Sequence, residues 1–217
     1  MDSKSILVLE SYKASYDGKE FFDYPYINIR ENSSLGILGE SGCGKSTLLN
    51  SLFSPFFNGY RKYGRAEFLN SDIFQQKDRI YEKLSYMPQF SQNGFNPSMN
   101  MGSQIELIMR TNKIKQKKKL YEYMEELSLS ESILDKYPYE LSGGMKQRIA
   151  LLLGFIKNPK LFVMDEPSSA VDYITLSKLI DFIQDRKREG TAIFLVTHHN
   201  SFCDFLCDEK IILGDKS

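Results

Sequence analysis

Gly39-Glu40-Ser41-Gly42-Cys43-Gly44-Lys45-Ser46-Thr47 constrains this chain more than any other stretch. It fits G-x-x-x-x-G-K-[ST], the loop that wraps nucleotide phosphates. Glycines let a backbone turn through positive φ and approach an anion closely. Amide N–H groups of such a loop, with the helix N-terminus that follows, favour negative charge. Lys45 is expected to reach the β- and γ-phosphates and the Ser46 hydroxyl to ligate Mg²⁺. The flanks agree. Leu35-Gly36-Ile37-Leu38 reads as a short buried strand, and Ser46 to Leu52 as the start of a helix. A strand, a glycine loop and a helix in that order imply an α/β core.

The length of 217 residues suits one large domain, or one domain with an inserted lobe. There are 28 basic and 28 acidic side chains. Zero formal net charge leaves no electrostatic footprint for nucleic acid. The basic run from Lys113 to Lys119 reads as a solvated helix face rather than a lipid or nucleic-acid patch. No apolar run is long enough to span a membrane, and the N-terminus has no secretory signal pattern. Three cysteines, one of them in the glycine loop, form no disulfide framework and point to the reducing cytosol.

Along the chain, Ile6 to Glu10 and Tyr12 to Tyr16 read as strands, with a turn at Asp17-Gly18. Tyr26 to Ile29, Ala66 to Leu69 and Leu84 to Met87 read as further strands, and an antiparallel β subdomain is expected at the N-terminus. From about residue 90 to 156 helical, charged segments take over: Met101 to Arg110, Lys115 to Leu127, Ser130 to Lys136 and Gly144 to Ile156. The expectation is one domain, with a core made of 1–89 and 157–217 and a helical lobe inserted at about 90–156. The core resumes with the apolar strand Lys160 to Met164, the amphipathic helix Ile174 to Arg188, the strand Ala192 to Val196 and the short strand Ile211 to Leu213.

The strand before Asp165-Glu166 ends in two carboxylates. Phosphoryl-transfer sites of this kind need a carboxylate at a strand end to hold Mg²⁺ or its water shell. Asp165 is the candidate for that role. Glu166, one residue further, is the candidate to polarise an attacking water, a role typically supplying about 10²–10⁴-fold in rate.

Leu141-Ser142-Gly143-Gly144-Met145-Lys146-Gln147-Arg148 matches the LSGGQ signature of the ATP-binding cassette (ABC) ATPases, with Met in the Gln position. The chain resembles that family over nearly its whole length. The Ser142 hydroxyl and the open amides of Gly143 and Gly144, at a helix start, make a second anion cradle. In the family this cradle closes on the γ-phosphate bound to the opposite subunit, so one chain cannot build a complete site. Four further matches follow in family order. Gln89 resembles the Q-loop, which senses Mg²⁺ and γ-phosphate. Ser169-Ala170-Val171-Asp172 resembles the D-loop, with Val where Leu is usual. Thr197-His198 resembles the switch histidine, although His199 follows in place of the usual Asp. Tyr16 sits at the position of the aromatic that stacks on adenine; strand aromatics are more often core than ligand, so both readings stand. The resemblance implies a P-loop NTPase core binding ATP and Mg²⁺. Gly39, Ser41, Gly42, Cys43, Gly44, Lys45, Ser46 and Thr47 then hold phosphate, Ser46, Gln89 and Asp165 organise Mg²⁺, Glu166 acts on water, and His198 holds the γ-phosphate. Ser142, Gly143, Gly144 and Asp172 would serve nucleotide across a dimer.

Within the family, the stretch Gly94 to Ile105 resembles the "LNP…M…G.QI" segment of the peptide/nickel importer ATPases. Tyr137-Pro138-Tyr139-Glu140 resembles their "YPHE", and Glu40-Ser41 in the loop also suits them. The resemblance implies a peripheral subunit on the cytoplasmic face of the membrane. Its partners would be a second cassette ATPase, identical or different, two permeases and, indirectly, an extracellular solute-binding protein. Cargo would be peptides, nickel or metal–metallophore complexes. Rival readings are a soluble ABC ATPase of repair, ribosomal or iron–sulfur assembly type, an exporter subunit, or a nucleotide-binding scaffold. Members of the importer group often extend beyond the core, whereas this sequence stops at Ser217, so a C-terminal regulatory domain is expected to be absent.

His198, His199, Cys203 and Cys207 can be drawn as a metal site, but adjacent histidines are expected to project apart. Phe202, Cys203, Phe205 and Leu206 read instead as the packed face of a helix. Cys43 is expected to have no catalytic part, yet a bulky thiol reagent there should block turnover. Of Phe53, Phe56, Phe57, Tyr60 and Tyr63, most are expected in the core, with some lining a groove that faces the permease.

Overall fold

The computed structural model describes residues 4–76, 79–167 and 173–214, with the backbone alone for 173–175. β1 (Ser5–Glu10) is a run of buried aliphatics. Ser11, at φ 53°, turns the chain out of that strand into β2 (Lys13–Ser15). β3 (Phe22–Asp23), β4 (Ile27–Arg30) and β5 (Ser34–Gly39) follow, and then α1 (Lys45–Phe53). Next come β6 (Tyr60–Lys62), β7 (Arg65–Phe68), β8 (Ser71–Asp72), a single turn α2 (Ile80–Lys83) and β9 (Leu84–Met87). A helical stretch holds α3 (Met101–Thr111), α4 (Lys117–Glu126) and α5 (Gly143–Ile156). The chain then runs through β10 (Leu161–Asp165), α6 (Tyr173–Arg188), β11 (Ala192–Thr197), α7 (Asn200–Leu206) and β12 (Glu209–Leu213).

Five strands form a parallel sheet in the order β12-β5-β11-β10-β9. The order brings the C-terminal ends of β5, β10 and β11 side by side, with Val196 registered against both Ile37 and Asp165. Ligands of such open sheets bind at this edge. The antiparallel part is two small sheets rather than one: β4-β1-β7-β8 and β3-β2-β6. Tyr12, fully buried between them, donates its hydroxyl to Ser51 Oγ on α1 at 2.9 Å and ties both to the helix.

Strand alternation sorts the core into two layers. Leu161, Val163, Phe194 and Val196 face α1 and the antiparallel sheets. Phe162, Met164, Ile193 and Leu195 face the helical stretch. That stretch shares its core with the sheet: Phe155 packs edge-on to Phe162, with centroids 4.5 Å apart, and to Phe182. Among the described residues no helix is long and apolar enough to cross a membrane.

Three expectations need correction. The helix expected over 130–136 is a tight 3₁₀ turn, Glu131–Asp135, opened by a Ser130 cap on the Ser132 amide and ended by the extended backbone of Lys136. Of the five aromatics after the glycine loop, Phe53 is buried, Phe57 half-buried, and Phe56, Tyr60 and Tyr63 exposed. They stand on short edge strands and a loop that offer too little cover. Phe205 is also exposed, whereas its neighbours Phe202, Cys203 and Leu206 form the packed face of α7.

The stretch from Asn96 to Ile105 owes its pattern to packing. The Gln104 side chain, nearly buried, accepts from the Asn96 amide at 2.8 Å and donates to the Asn96 and Met99 carbonyls at 3.0 and 2.9 Å. Asn100 caps α3 through the Ser103 amide at 2.8 Å. Glu140 likewise accepts from the Tyr137 amide at 2.7 Å.

Candidate nucleotide site

A cleft of about 450 Å³ opens at the C-terminal edge of the parallel sheet. Ser41, Gly42, Gly44, Lys45, Ser46, Thr47, Gln89, Asp165, Glu166 and His198 line it, together with Phe22. Five stretches of chain, spread from Phe22 to His198, thus meet at one edge.

The glycine loop forms its floor. Gly44, at φ 100°, is the residue before α1, and a Cβ there would lie 2.6 Å from the Phe22 ring. Both the conformation and the space require glycine. Its carbonyl is held by the buried Tyr24 hydroxyl at 2.9 Å. No side chain caps α1 and no acid stands in its first turn, so its leading amides are open to an anion. Lys45 Nζ donates to the Gly39 and Glu40 carbonyls at 2.6 and 2.8 Å, which spans the loop with its ammonium.

Asp165 ends β10, almost wholly buried. Burial, then the neighbouring Glu166 charge, raise its carboxyl to about 6, against the pull of Lys45. Glu166 takes φ 49°, a left-handed turn that aims its carboxylate back across β11. Thr197 Oγ1 donates to Glu166 Oε2 at 2.9 Å, and His198 Nδ1 lies 2.6 Å from Glu166 Oε1. Both oxygens of a nearly buried carboxylate are thereby engaged by two consecutive residues of another strand end. Gln147, on the helix that opens with the signature, donates its amide to the Pro167 carbonyl just beyond Glu166.

Other expected residues stand elsewhere. Tyr16 does not line the cleft; its hydroxyl accepts from Asn50 Nδ2 at 3.2 Å and its ring lies 5.0 Å from Phe57. Cys43 turns its side chain toward a neighbouring hollow with Leu213 and Gly214, its sulfur 3.8 Å from Lys45 Nζ. Ser142 is exposed and caps α5 through the Met145 amide at 3.2 Å, and Gly143 and Gly144 follow it on the same turn, outside the cleft. Ser169 to Asp172 lie outside the described residues. The histidines do not diverge as expected: His198 leaves β11 as His199 enters α7, and their rings lie 3.9 Å apart. Glu166, His198 and His199 could all turn a ligand atom to one point. The cysteines take no part in that cluster. A Cβ on Gly36 would collide with the Cys203 sulfur, and burial raises both thiols.

Sequence reasoning missed two contributors. Phe22 carries only a weak signal, one of two adjacent aromatics in an otherwise polar stretch, and Thr197 is a β-branched residue that a strand end would hold anyway.

The donor set suits a magnesium-bound nucleotide. Ser46, Gln89 and Asp165 line the same cleft and carry oxygen atoms, the ligand type that a hard divalent cation takes.

A family model described as "ABC transporter" matches residues 25–169. The oligopeptide transport ATP-binding protein of Salmonella typhimurium is 29% identical over 197 residues, 85% of this chain and 59% of that protein. The chain thus spans about three fifths of the length of that relative. The ergothioneine transport ATP-binding protein of Helicobacter pylori is 31% identical over 202 residues, 91% of each chain. Among solved structures, an ATP-binding subunit of an ABC transporter superposes with a TM-score of 0.83 at 19% identity, covering 96% of this chain and 85% of the other. A dimeric bacterial ABC transporter cassette gives 0.76 at 23% identity, covering 96% and 94%. The chain belongs to the ABC transporter family, and its fold is that family's ATP-binding cassette.

Proposed function

We propose that this chain binds and hydrolyses ATP as the cassette subunit of an ABC importer, peripheral to the cytoplasmic face of a membrane through partner permeases. The observation that carries the reading is the convergence of Lys45, Asp165, Glu166 and His198 on one cleft. Lys45 and the amides at the start of α1 hold the phosphates. Ser46, Gln89 and Asp165 hold Mg²⁺, which when bound neutralises phosphate charge. Glu166 is the group that accepts the proton of the attacking water, and His198 both orients that carboxylate and meets the γ-phosphate. Ser142, Gly143, Gly144 and Asp172 act on nucleotide held by a second cassette. The dimeric state of a similarly folded cassette supports this reading.

Cargo is a small solute of the peptide, nickel or metal–metallophore class. The likeness to an oligopeptide relative supports this. The ergothioneine relative widens the range of solutes to be tested. The test is purification of the tagged chain from detergent-solubilised membranes, with its partners identified by mass. Two permeases and a second cassette are expected, and their solute-binding protein can then be screened for cargo. Soluble partners alone, with the chain missing from the membrane fraction, would overturn the transport reading.

A further inference from the structure

Zinc-type ions take imidazole nitrogen and carboxylate oxygen, and three such protein ligands suffice where one position stays open. Glu166, His198 and His199 supply that set beside the glycine loop. One ligand atom from each lies within 4.8 Å of the others. A tetrahedral centre with bonds of about 2.1 Å needs its ligand atoms about 3.4 Å apart. Side-chain rotation spans that difference: both histidines are exposed, while the Glu166 carboxylate is nearly buried and serves as the fixed point.

The backbone holds the three together. Ligating carboxylates are themselves hydrogen-bonded by outer partners, and Thr197 is such a partner. Its hydroxyl donates to Glu166 Oε2 at 2.9 Å and accepts from the His199 amide at 3.1 Å. One hydroxyl thus ties the carboxylate to the bend at which His199 turns its ring back to 3.9 Å from that of His198. His198 Nδ1 already lies 2.6 Å from Glu166 Oε1. Among the described residues no hydrogen bond engages the His199 ring. Asp165 adds negative charge to the same cleft and Lys45 opposes it, with the Lys45 ammonium held on the Gly39 and Glu40 carbonyls. Two imidazoles separate this set from the oxygen ligands that Mg²⁺ takes and select a softer ion.

We propose that Glu166, His198 and His199 bind a divalent transition ion of the zinc type, and that its occupation holds the cassette inactive. The ion takes the Glu166 carboxylate away from water and the His198 ring away from the γ-phosphate, and leaves the glycine loop open. The inhibition rests on the roles proposed above for those two residues; the binding does not. His199 has no part in hydrolysis and gains one here as the third ligand.

The test compares the full chain with His199→Asn. Asparagine is a favourable residue at a helix start, so the variant keeps its fold. Without nucleotide, each protein is titrated with Co²⁺, whose visible spectrum reports its ligands, and Zn²⁺ is then used to displace it. Separately, ATP turnover is measured with Mg²⁺ in excess and free Zn²⁺ set by a metal buffer. The unaltered chain should bind Co²⁺ saturably with no sulfur-to-metal absorption band, and its turnover should fall as Zn²⁺ binds and recover on chelation. Loss of even an outer partner weakens metal binding about 10–100-fold, so His199→Asn should weaken both binding and inhibition by about tenfold or more, with turnover in the absence of Zn²⁺ unchanged. Equal binding by His199→Asn, no binding by the unaltered chain, or a sulfur band placing the ion on cysteine would overturn the site. Binding that needs His199 but leaves turnover intact would overturn the inhibition. A chain with no turnover even in the absence of Zn²⁺ counts against the hydrolysis reading instead, and the Co²⁺ titration still decides the site.

Discussion

Glu166 is held through both carboxylate oxygens by consecutive residues, Thr197 at 2.9 Å and His198 at 2.6 Å. The residues we propose as base and as γ-phosphate contact are thus one hydrogen-bonded unit rather than two residues that happen to share a cleft. Thr197→Val keeps shape and removes the hydroxyl. A hydrogen bond to a charged group contributes about 1.5–3 kcal/mol, so steady-state kinetics should show turnover reduced about tenfold or more with the KM for ATP little changed. A raised KM with normal turnover would place Thr197 in binding instead.

Asp165 makes stability depend on pH. Raising a carboxyl from 3.8 to about 6 disfavours its charged form in the folded state, by about 3 kcal/mol at most. Between those values the folded state binds the proton more tightly than the unfolded chain does. The penalty is therefore fully present above pH 6 and is relieved as pH falls toward 4. Without nucleotide, Asp165→Asn should melt higher than the unaltered protein at pH 7.5, and the difference should shrink toward pH 4. Melting curves that differ equally at both pH values would show that the carboxyl is not raised.

Cys43 is half-buried beside the Lys45 ammonium, while Cys203 is buried and Cys207 packs against Gly36. Alkylation should reach Cys43 first. Because its sulfur faces the hollow beside the cleft, a bulky adduct should act by displacing Lys45 from the Gly39 and Glu40 carbonyls. Turnover should fall, and MgATP should slow the modification. Undiminished turnover after complete modification, verified by mass, would contradict this.

Phe22 and Tyr16 compete for the role of aromatic wall. Phe22 lines the cleft and packs on Gly44, while Tyr16 is tied to Asn50 and Phe57 outside it. Phe22→Ala should therefore weaken ATP binding more than Tyr16→Ala, measured by titration with a fluorescent nucleotide. The reverse order would return adenine stacking to Tyr16.

The parts of this molecule legible in the sequence are those whose signal is local. Gly39 to Thr47 announces a loop between strand and helix, and β10 and β11 are continuous apolar runs that end where the polar site residues begin. Strands of two or three residues, such as β3, β6 and β8, are too short to show alternation, so the three-stranded sheet went unseen. Contacts across the sheet edge were equally hidden. Thr197 meets Glu166 from 31 residues away, and only the parallel register of β10 with β11 brings them together. The exposed aromatics failed for a different reason: hydrophobic type does not report how much neighbouring chain is available to cover a loop.

The measurement that tests the account most directly is ATP turnover by Glu166→Gln in the assembled complex, beside ATP binding by the same variant. The account predicts near-normal binding, turnover lower by about 10²–10⁴-fold, and a longer-lived closed dimer. Turnover close to that of the unaltered complex would contradict Glu166 as the base and, with it, the catalytic reading of the Glu166–Thr197–His198 unit.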